Sequence, residues 1–420
     1  IVHDPVVLAY CPPSDLVSQF YSDLTSVQAS KDAMRDILHE VSLRHWRIPM
    51  DQIAAGALDD GEYKVVLLPY HQAMSEKAAA ALRRFVERGG YLIADLRPAI
   101  TNEHGRPLER GLLDDVFGIE RRQIEGPAAE EGEPTILADS GPMAVLSNWQ
   151  GSLRADRAVT ARPGADVRGT VGDVPICINN RFGEGRAVLL NFALDEYVAA
   201  RASGSAGPIQ DMFSSLYAEA GVRPTVRVTA GAGRSVDGLF MQRWRNGSMR
   251  IVGLDRNPID PSRDGPAKIT VRWPERGYVY DIRAHRLLGE RDTVETTLAV
   301  KVPKLYAWLP YEIGDVTIDA LPTVDAGRRL PVTVGLSAPE GDRAPQIVCL
   351  DVYGPDGTWR HYLRQRLRLD GPEAETHIAL AYNAPPGTWR LTATEVISGK
   401  TTERAFEVEP PETPVEGGEA

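Results

Sequence analysis

YKVVLLPYHQAMSEKAAAALRRFVERGGYLIADLRP, residues 63–98, decides the fold class of this chain. Val65–Leu68 is an unbroken apolar run, the pattern of a strand covered on both faces. Ser75 stands where a helix needs an N-cap, and Glu76 places negative charge in the first turn. Ala78, Leu82, Phe85 and Val86 then recur on one face, so the helix lies along a sheet. Gly89 and Gly90 end it, and Tyr91–Ala94 (YLIA) is a second buried strand. Strand, helix, strand in this order gives a parallel pair with a right-handed crossover. Open α/β sheets place their chemistry in the loops after the strands. Neither loop here, 69–74 or 95–98, offers a nucleophile.

Working outward, residues 1–224 continue the alternation. Strands are expected at 6–9, 46–48 and 186–192, the last launched by Gly183-Glu184-Gly185. A helix over about 30–44 puts Ala33, Ile37, Leu38 and Val41 on one side. Leu112, Leu113, Val116 and Phe117 suggest a short helix ending at Gly118, within a less regular stretch over 105–170. A last helix, 209–220, is closed by Gly221 and Pro224. Repeated βα units predict a mostly parallel, flavodoxin-like sheet.

From residue 225 the period changes to that of β structure. Asn246-Gly247 lies between two strand-like arms in 239–254, a type I′ hairpin signal. Further strands are expected at 278–282, 286–288, 293–300 and 305–309, making 225–314 a small all-β domain. Seven strands follow, at 316–320, 330–336, 347–353, 359–369, 377–382, 389–396 and 401–408. Their spacing, with turns at Asp356-Gly357 and Ser398-Gly399, fits an immunoglobulin-like β-sandwich over 315–408. GTWR occurs at 357–360 and again at 387–390, each read as a turn glycine and a core Trp opening a strand. Residues 409–420, EPPETPVEGGEA, read as a linker or free tail.

Composition narrows the classes. The length of 420 residues suggests roughly three domains at about 150 residues each. Acidic residues number 58 against 47 basic ones, a net −11 that argues against a nucleic-acid partner. Cys11, Cys177 and Cys349 are widely spaced and odd in number, indicating neither a zinc site nor a disulfide framework. No apolar run approaches the ~20 residues of a membrane helix. The chain starts IVHDPVV without Met, as a segment cut from something longer or processed would. The compartment stays open.

The search for chemistry is mostly negative. A class I glutamine amidotransferase needs a Cys at a sharp strand–helix turn, since only a thiolate attacks the amide well. That elbow here reads Asp95, Leu96, Arg97, Pro98. Cys11 follows the first strand but is held by two prolines with no matching helix. Gly183-Glu184-Gly185 and Gly231-Ala232-Gly233 lack the third glycine of a dinucleotide fingerprint, and 203–207 is not GxSxG. Catalytic carboxylates are not identifiable among so many acids. The candidates that remain are His71 and His104, which with Tyr70, Asp95, Arg97, Asn102 and Glu103 could line the crevice at the sheet's C-terminal edge. The same residues also read as loop groups that satisfy the backbone or face a partner subunit. No cofactor or metal is implied.

Four stretches together carry a resemblance: VHDPVVLAYCPPS, then YKVVLLPYHQAMSEKAAAALRRFVERGGYLIADLRPAITNEHGRP, GLLDDVFGIE and GEGRAVLLNF. Over approximately residues 4–224 the chain resembles the trimerisation domain of family-42 β-galactosidases, most specifically across 63–118. The resemblance implies an amidotransferase-like fold without amidotransferase activity, which mediates oligomer contacts near the active-site mouth and follows a catalytic barrel. That barrel is absent here, so no residue inherits galactosidase activity. The implied partners are further copies of the chain, with a trimer favoured, and the upstream barrel. Two alternatives remain. One is a carbohydrate-binding or surface-display module using Trp244, Trp273, Trp359 or Trp389 as platforms, although Trp389 is in phase with an apolar face. The other is a hydrolase of the amidotransferase fold using Cys11.

Overall fold

A computed structural model describes residues 1–20, 24–257, 265–337 and 343–411. The chain opens with β1 (Val6–Tyr10), α1 (Pro12–Val17), α2 (Val27–Glu40), β2 (Trp46–Pro49) and α3 (Met50–Ala54). Then come β3 (Val65–Leu68), α4 (Glu76–Glu87) and β4 (Tyr91–Ala94). β3 and β4 pair in parallel, Val65 opposite Tyr91 through Leu68 opposite Ala94. Ser75 caps α4, its Oγ accepting from the Ala78 N–H at 3.2 Å. Gly89 ends the helix with φ +100°, a conformation that costs glycine no Cβ clash.

Among the described residues the first sheet has eight strands, in the order β2, β1, β3, β4, Gly185–Leu190, Val174–Phe182, Asp166–Val171 and Pro134–Ile136. The first five run parallel and the last three are antiparallel additions. The expectation of a mostly parallel sheet thus holds for five of the eight strands, and the antiparallel extension was not expected. Alternate residues of each central strand enter opposite cores. Val6, Leu8, Val65, Leu67, Tyr91 and Ile93 pack under α2 and the helix Gly207–Glu219. Val7, Ala9, Val66, Leu68, Leu92 and Ala94 pack under α3 and α4. Each Val, Leu or Ile among them contributes about 1.5–3 kcal/mol of burial.

Several boundaries move. α2 starts at Val27 because Ser26 supplies the cap, its Oγ accepting from the Ala29 N–H at 3.1 Å. Leu112–Phe117 forms consecutive turns rather than a helix, although Leu113, Val116 and Phe117 are buried and Gly118 (φ +66°) ends the segment. A helix at Asp195–Ser203 was not anticipated. Cys11, expected to lack a helix, is the N-cap residue of the six-residue α1.

A six-stranded antiparallel sheet follows. Its hairpin joins Leu239–Asn246 to Met249–Arg256, and since Asn246 pairs with Met249 the two-residue loop is Gly247-Ser248, one position later than expected. Ala267–Asp281 is a 15-residue strand recognised in the sequence only at its end. Two further sheets, of three and five strands, enclose one core holding Val332, Val334, Leu350, Val352, Ile378, Trp389 and Phe406. Tyr280, Ala307 and Leu309 of the preceding sheet join that core, so burial runs across residue 315. The core-Trp reading of GTWR fits Trp389, 1% exposed, but not Trp359, 42% exposed. A 3-10 turn at His361–Leu363 delays the strand to Gln365–Leu369, and Trp359 stays outside, its Nε1 donating to Asp351 Oδ1 at 2.9 Å. Glu409 ends the last strand; the tail expected over 409–420 lies mostly outside the described residues. Among the described residues no helix is long and apolar enough to cross a membrane.

Candidate functional site

The C-terminal ends of β1, β3 and β4 turn toward one edge, and the strand order reverses between β1 and β3. A ligand-binding α/β fold would keep its crevice there. Here a cavity of ≈ 380 Å³ lined by Cys11, Pro49 and Ala73 among others opens at the ends of β1, β2 and β3, while backbone hydrogen bonds join the loops after β3 and β4. Ala99 N–H donates to His71 O at 2.7 Å, Thr101 N–H to Gln72 O at 2.9 Å, and Met74 N–H to Thr101 O at 3.1 Å. The loops after β3 and β4 thus zip together beyond the ends of their strands.

Within this closure Tyr70, His71 and Asp95 are all fully buried. Tyr70 sits at φ +44°, Arg97 at +52° and Ala99 at +55°, left-handed conformations that residues with a Cβ adopt only when their surroundings impose them. Asp95 imposes one of them, since its carboxylate accepts both the Tyr70 N–H and the Ser30 hydroxyl of α2. Burial pushes its carboxyl up to about 7, against the pull of those hydrogen bonds. His71 Nδ1 donates to Pro69 O at 2.8 Å. Burial lowers its pKa to about 4, so the ring is neutral at pH 7, and Nε2 meets no partner among the described residues.

The other four predicted residues lie apart from this trio. Arg97 is mostly buried and donates from Nε to Asp156 Oδ2 at 3.1 Å, a carboxylate shared with Arg121 at 3.9 Å. Asn102 organises a separate surface loop, its Oδ1 accepting from the His104 N–H at 3.0 Å and the Arg106 N–H at 2.9 Å. Glu103 and His104 project from that loop, exposed. The sequence thus grouped seven residues that the structure divides into an interior lock, a buried ion pair and a loop tip.

Cys11 is no nucleophile. Its Sγ donates to Ala73 O at 3.1 Å, Ser14 Oγ lies 3.3 Å from the sulfur, and burial raises the thiol pKa. Ser14 also accepts the Ala73 N–H at 3.0 Å, so both side chains hold the β3 loop. Cys177, in the sheet, is pushed up to about 12 by burial. No group of acidic, His or Cys side chains that could hold a metal occurs among the described residues.

What the sequence reading missed lies next door. The ≈ 380 Å³ cavity at this edge is lined also by Pro12, Pro13, Met50, Met74 and Glu103. Continuing along α1 and the turn after it, Leu16 is 63% and Phe20 84% exposed. Monomers rarely leave such a pair beside an apolar hollow unless something covers it. The signal was present as an i, i+4 apolar pair, but the sequence reading placed no helix after Pro12-Pro13.

Residues 39–206 match the family model described as the β-galactosidase trimerisation domain. By sequence the chain is similar to the β-galactosidase BglY of Alicyclobacillus acidocaldarius, 26% identical over 255 residues, covering 57% of this chain and 35% of that protein. It is also similar to the β-galactosidase BgaA of a Planococcus species, 27% identical over 250 residues, covering 56% and 33%. The chain thus spans about a third of the length of these relatives. By fold it is similar to the β-galactosidase of Bacillus circulans sp. alkalophilus, with TM-score 0.52 and 16% identity over 73% of this chain and 41% of that one. The GH42 β-galactosidase Gan42B gives TM-score 0.51 and 16% identity over 73% and 40%.

Proposed function

We propose that this chain is the non-catalytic C-terminal region of a β-galactosidase-like glycoside hydrolase, in which residues 1–224 assemble copies of the protein. The observation that carries the reading is the trimerisation-domain match over 39–206, on a sheet whose β3 and β4 loops are zipped together and carry no reactive group. An enzyme site needs an opening and a reactive group; this edge has a hollow but no reactive group, since the Cys11 thiol that lines it is tied to Ala73 O, and Leu16 and Phe20 lie exposed along the same segment. A trimer is the favoured assembly, and a catalytic barrel preceding residue 1 is the expected neighbour in the same polypeptide. The α/β unit would be an amidotransferase-like, flavodoxin-like fold, a reading supported by the strand order β2, β1, β3, β4. Residues 225–314 would form a small all-β domain and 315–408 an immunoglobulin-like sandwich, supported by two facing sheets around Trp389. Tyr70, His71 and Asp95 act in this reading as a lock that shapes the edge. Asn102, Glu103 and His104 form a rim facing a neighbouring copy or the mouth of the barrel's sugar site.

Sedimentation of the chain over a range of concentrations tests the assembly. A trimer that dissociates in a Leu16→Glu/Phe20→Glu variant is the expected result. A wild-type chain that stays monomeric at high concentration opposes it. One observation favours a second reading, binding of carbohydrate to the C-terminal sheets. Of the four Trp candidates, Trp273 and Trp389 are buried and Trp244 is half-buried, leaving Trp359 as the exposed ring, with Asp351 and Arg364 beside it. Glycan binding that survives Trp359→Ala removes that reading.

A further inference from the structure

A second cluster of titratable groups lies where the N-terminal segment, the end of α2, the start of β2 and the strand Leu239–Asn246 meet. Backbone hydrogen bonds stitch the meeting point, Val2 N–H to Arg243 O at 2.9 Å and Asp4 N–H to Arg44 O at 2.8 Å. His39 is buried in the last turn of α2. Its ring centroid lies 5.6 Å from that of His45 and 4.7 Å from that of Phe240 on the facing strand. His3 packs on Trp46 at 4.3 Å. Arg44 Nη1 is 3.4 Å from His39 Nε2, which puts the imidazole proton on Nδ1.

The cluster is short of negative charge. Asp4 accepts from the buried Arg243 Nη2 at 2.5 Å and from the Arg44 backbone N–H at 2.7 Å. Arg44 Nε, Arg243 Nε and Nη1, and His39 Nδ1 are buried with no acceptor among the described residues. The groups that face the imidazoles are mostly cationic. Around His39 they are His45, Arg44 and Arg35; around His45, Arg44, His3, Arg35 and Arg47; around His3, Arg44, Arg243, the N-terminus and the one acid Asp4. Among the described residues, a proton added to either inner imidazole has no buried carboxylate of its own to pair with.

We propose that this junction is an acid-sensitive clasp: protonation of His39 and His45 separates the strand Leu239–Asn246 and the N-terminal segment from the end of α2, loosening the six-stranded sheet from the α/β unit. Burial, reinforced by the neighbouring cations, holds His39 at about 3 and His45 at about 4, against 6.5 for a free imidazole. Both pKa values are lower in the closed junction, so the open form takes up protons first. Closure is fully favoured above about pH 6.5 and weakens as pH falls toward 4. Glu40, next to His39, works in the opposite sense. It accepts from Arg201 at 2.7 Å and from the Gly238 N–H at 2.8 Å, and burial raises its pKa, so acid favours its closed form.

Amide hydrogen exchange of the chain, corrected for the intrinsic pH dependence of exchange, reads the clasp at Val2, Asp4 and Arg44. Linkage gives about thirtyfold more opening at pH 5 than at pH 7.5 for each imidazole, before Glu40 opposes it. The expected loss of protection is about tenfold or more at these amides, with β3 and β4 unchanged. A His39→Gln/His45→Gln variant keeps Glu40 and should show no loss at pH 5, its amides there as well protected as at pH 7.5 or better. Equal protection of the wild-type amides at both pH values overturns the proposal, as does an undiminished loss in the double variant. If that variant fails to fold, NMR titration of His39 in the wild-type chain decides. A midpoint below about 5 supports the clasp, and one near 6.5 overturns it.

Discussion

Replacing Asp95 by Asn should leave stability nearly unchanged at pH 5 and raise it at pH 8. Asp95 is fully buried and its carboxyl is raised from 3.8 to about 7. A carboxylate raised on folding contributes stability that is complete below its unfolded pKa and is lost as pH rises through the folded one. Between pH 3.8 and 7 the loss is on the order of 4 kcal/mol, at 1.36 kcal/mol per pKa unit. Asn cannot ionise, so it avoids that loss. It keeps an acceptor for the Tyr70 N–H, and its amide can donate to Ser30 Oγ in a reversed bond, at a cost of roughly 1–2 kcal/mol. The loss is already about 1.7 kcal/mol at pH 5 and about 4 kcal/mol at pH 8, so the balance is near zero at pH 5 and about 3 kcal/mol of stabilisation at pH 8, the latter a rise of about 6–12 °C in melting temperature for a unit of this size. Thermal unfolding of both proteins from pH 5 to 8 measures it. A difference that stays constant with pH, or that turns further against Asn as pH rises, would refute the argument that burial raises the Asp95 carboxyl.

Gly185→Ala should cost about 3 kcal/mol by denaturant unfolding, because its Cβ would lie 2.2 Å from Val86 O and 2.3 Å from Gly90 O, backbone atoms that no rotamer change relieves. Trp389→Ala should cost about 3–5 kcal/mol by leaving a cavity between the two C-terminal sheets, whereas Trp359→Ala should stay within about 1 kcal/mol; equal losses would contradict their difference in exposure. Cys11 should react with an alkylating reagent at pH 7 only as fast as the fold opens; stoichiometric labelling within seconds would show a thiol free of Ala73.

Local chemistry was enough wherever a pattern completes itself within one segment. The Ser75 cap, the buried face of α4, the glycine stop and the strands on either side all follow from residues a few positions apart. Trp389 was legible for the same reason, since it alternates in phase with Leu391 and Ala393. The antiparallel half of the first sheet was not, because Asp166–Val171 and Pro134–Ile136 carry few apolar residues and become strands only once a neighbour supplies their ladder. The strand Ala267–Asp281 escaped in the same way. Lys268, Arg272, Glu275 and Arg276 face solvent and broke up the apolar run that would have announced it.

The candidate site shows the same division. Its residues were picked for following strands, and strand ends do converge at this edge, so the location was sound. Whether they would be buried or exposed depended on contacts between segments 25 to 65 positions apart, Tyr70 to Asp95 and Ser30 of α2 to Asp95. The sequence by itself determined the parallel unit of residues 63–98 and the missing nucleophile at its second strand end, because periodicity, capping and residue type act over short range. Only the tertiary structure decided that Asp95 is a buried lock, that Cys11 is tied to Ala73, and that Leu16 and Phe20 stand uncovered. Burial and hydrogen-bond partners belong to pairs of distant segments, and no single segment encodes them.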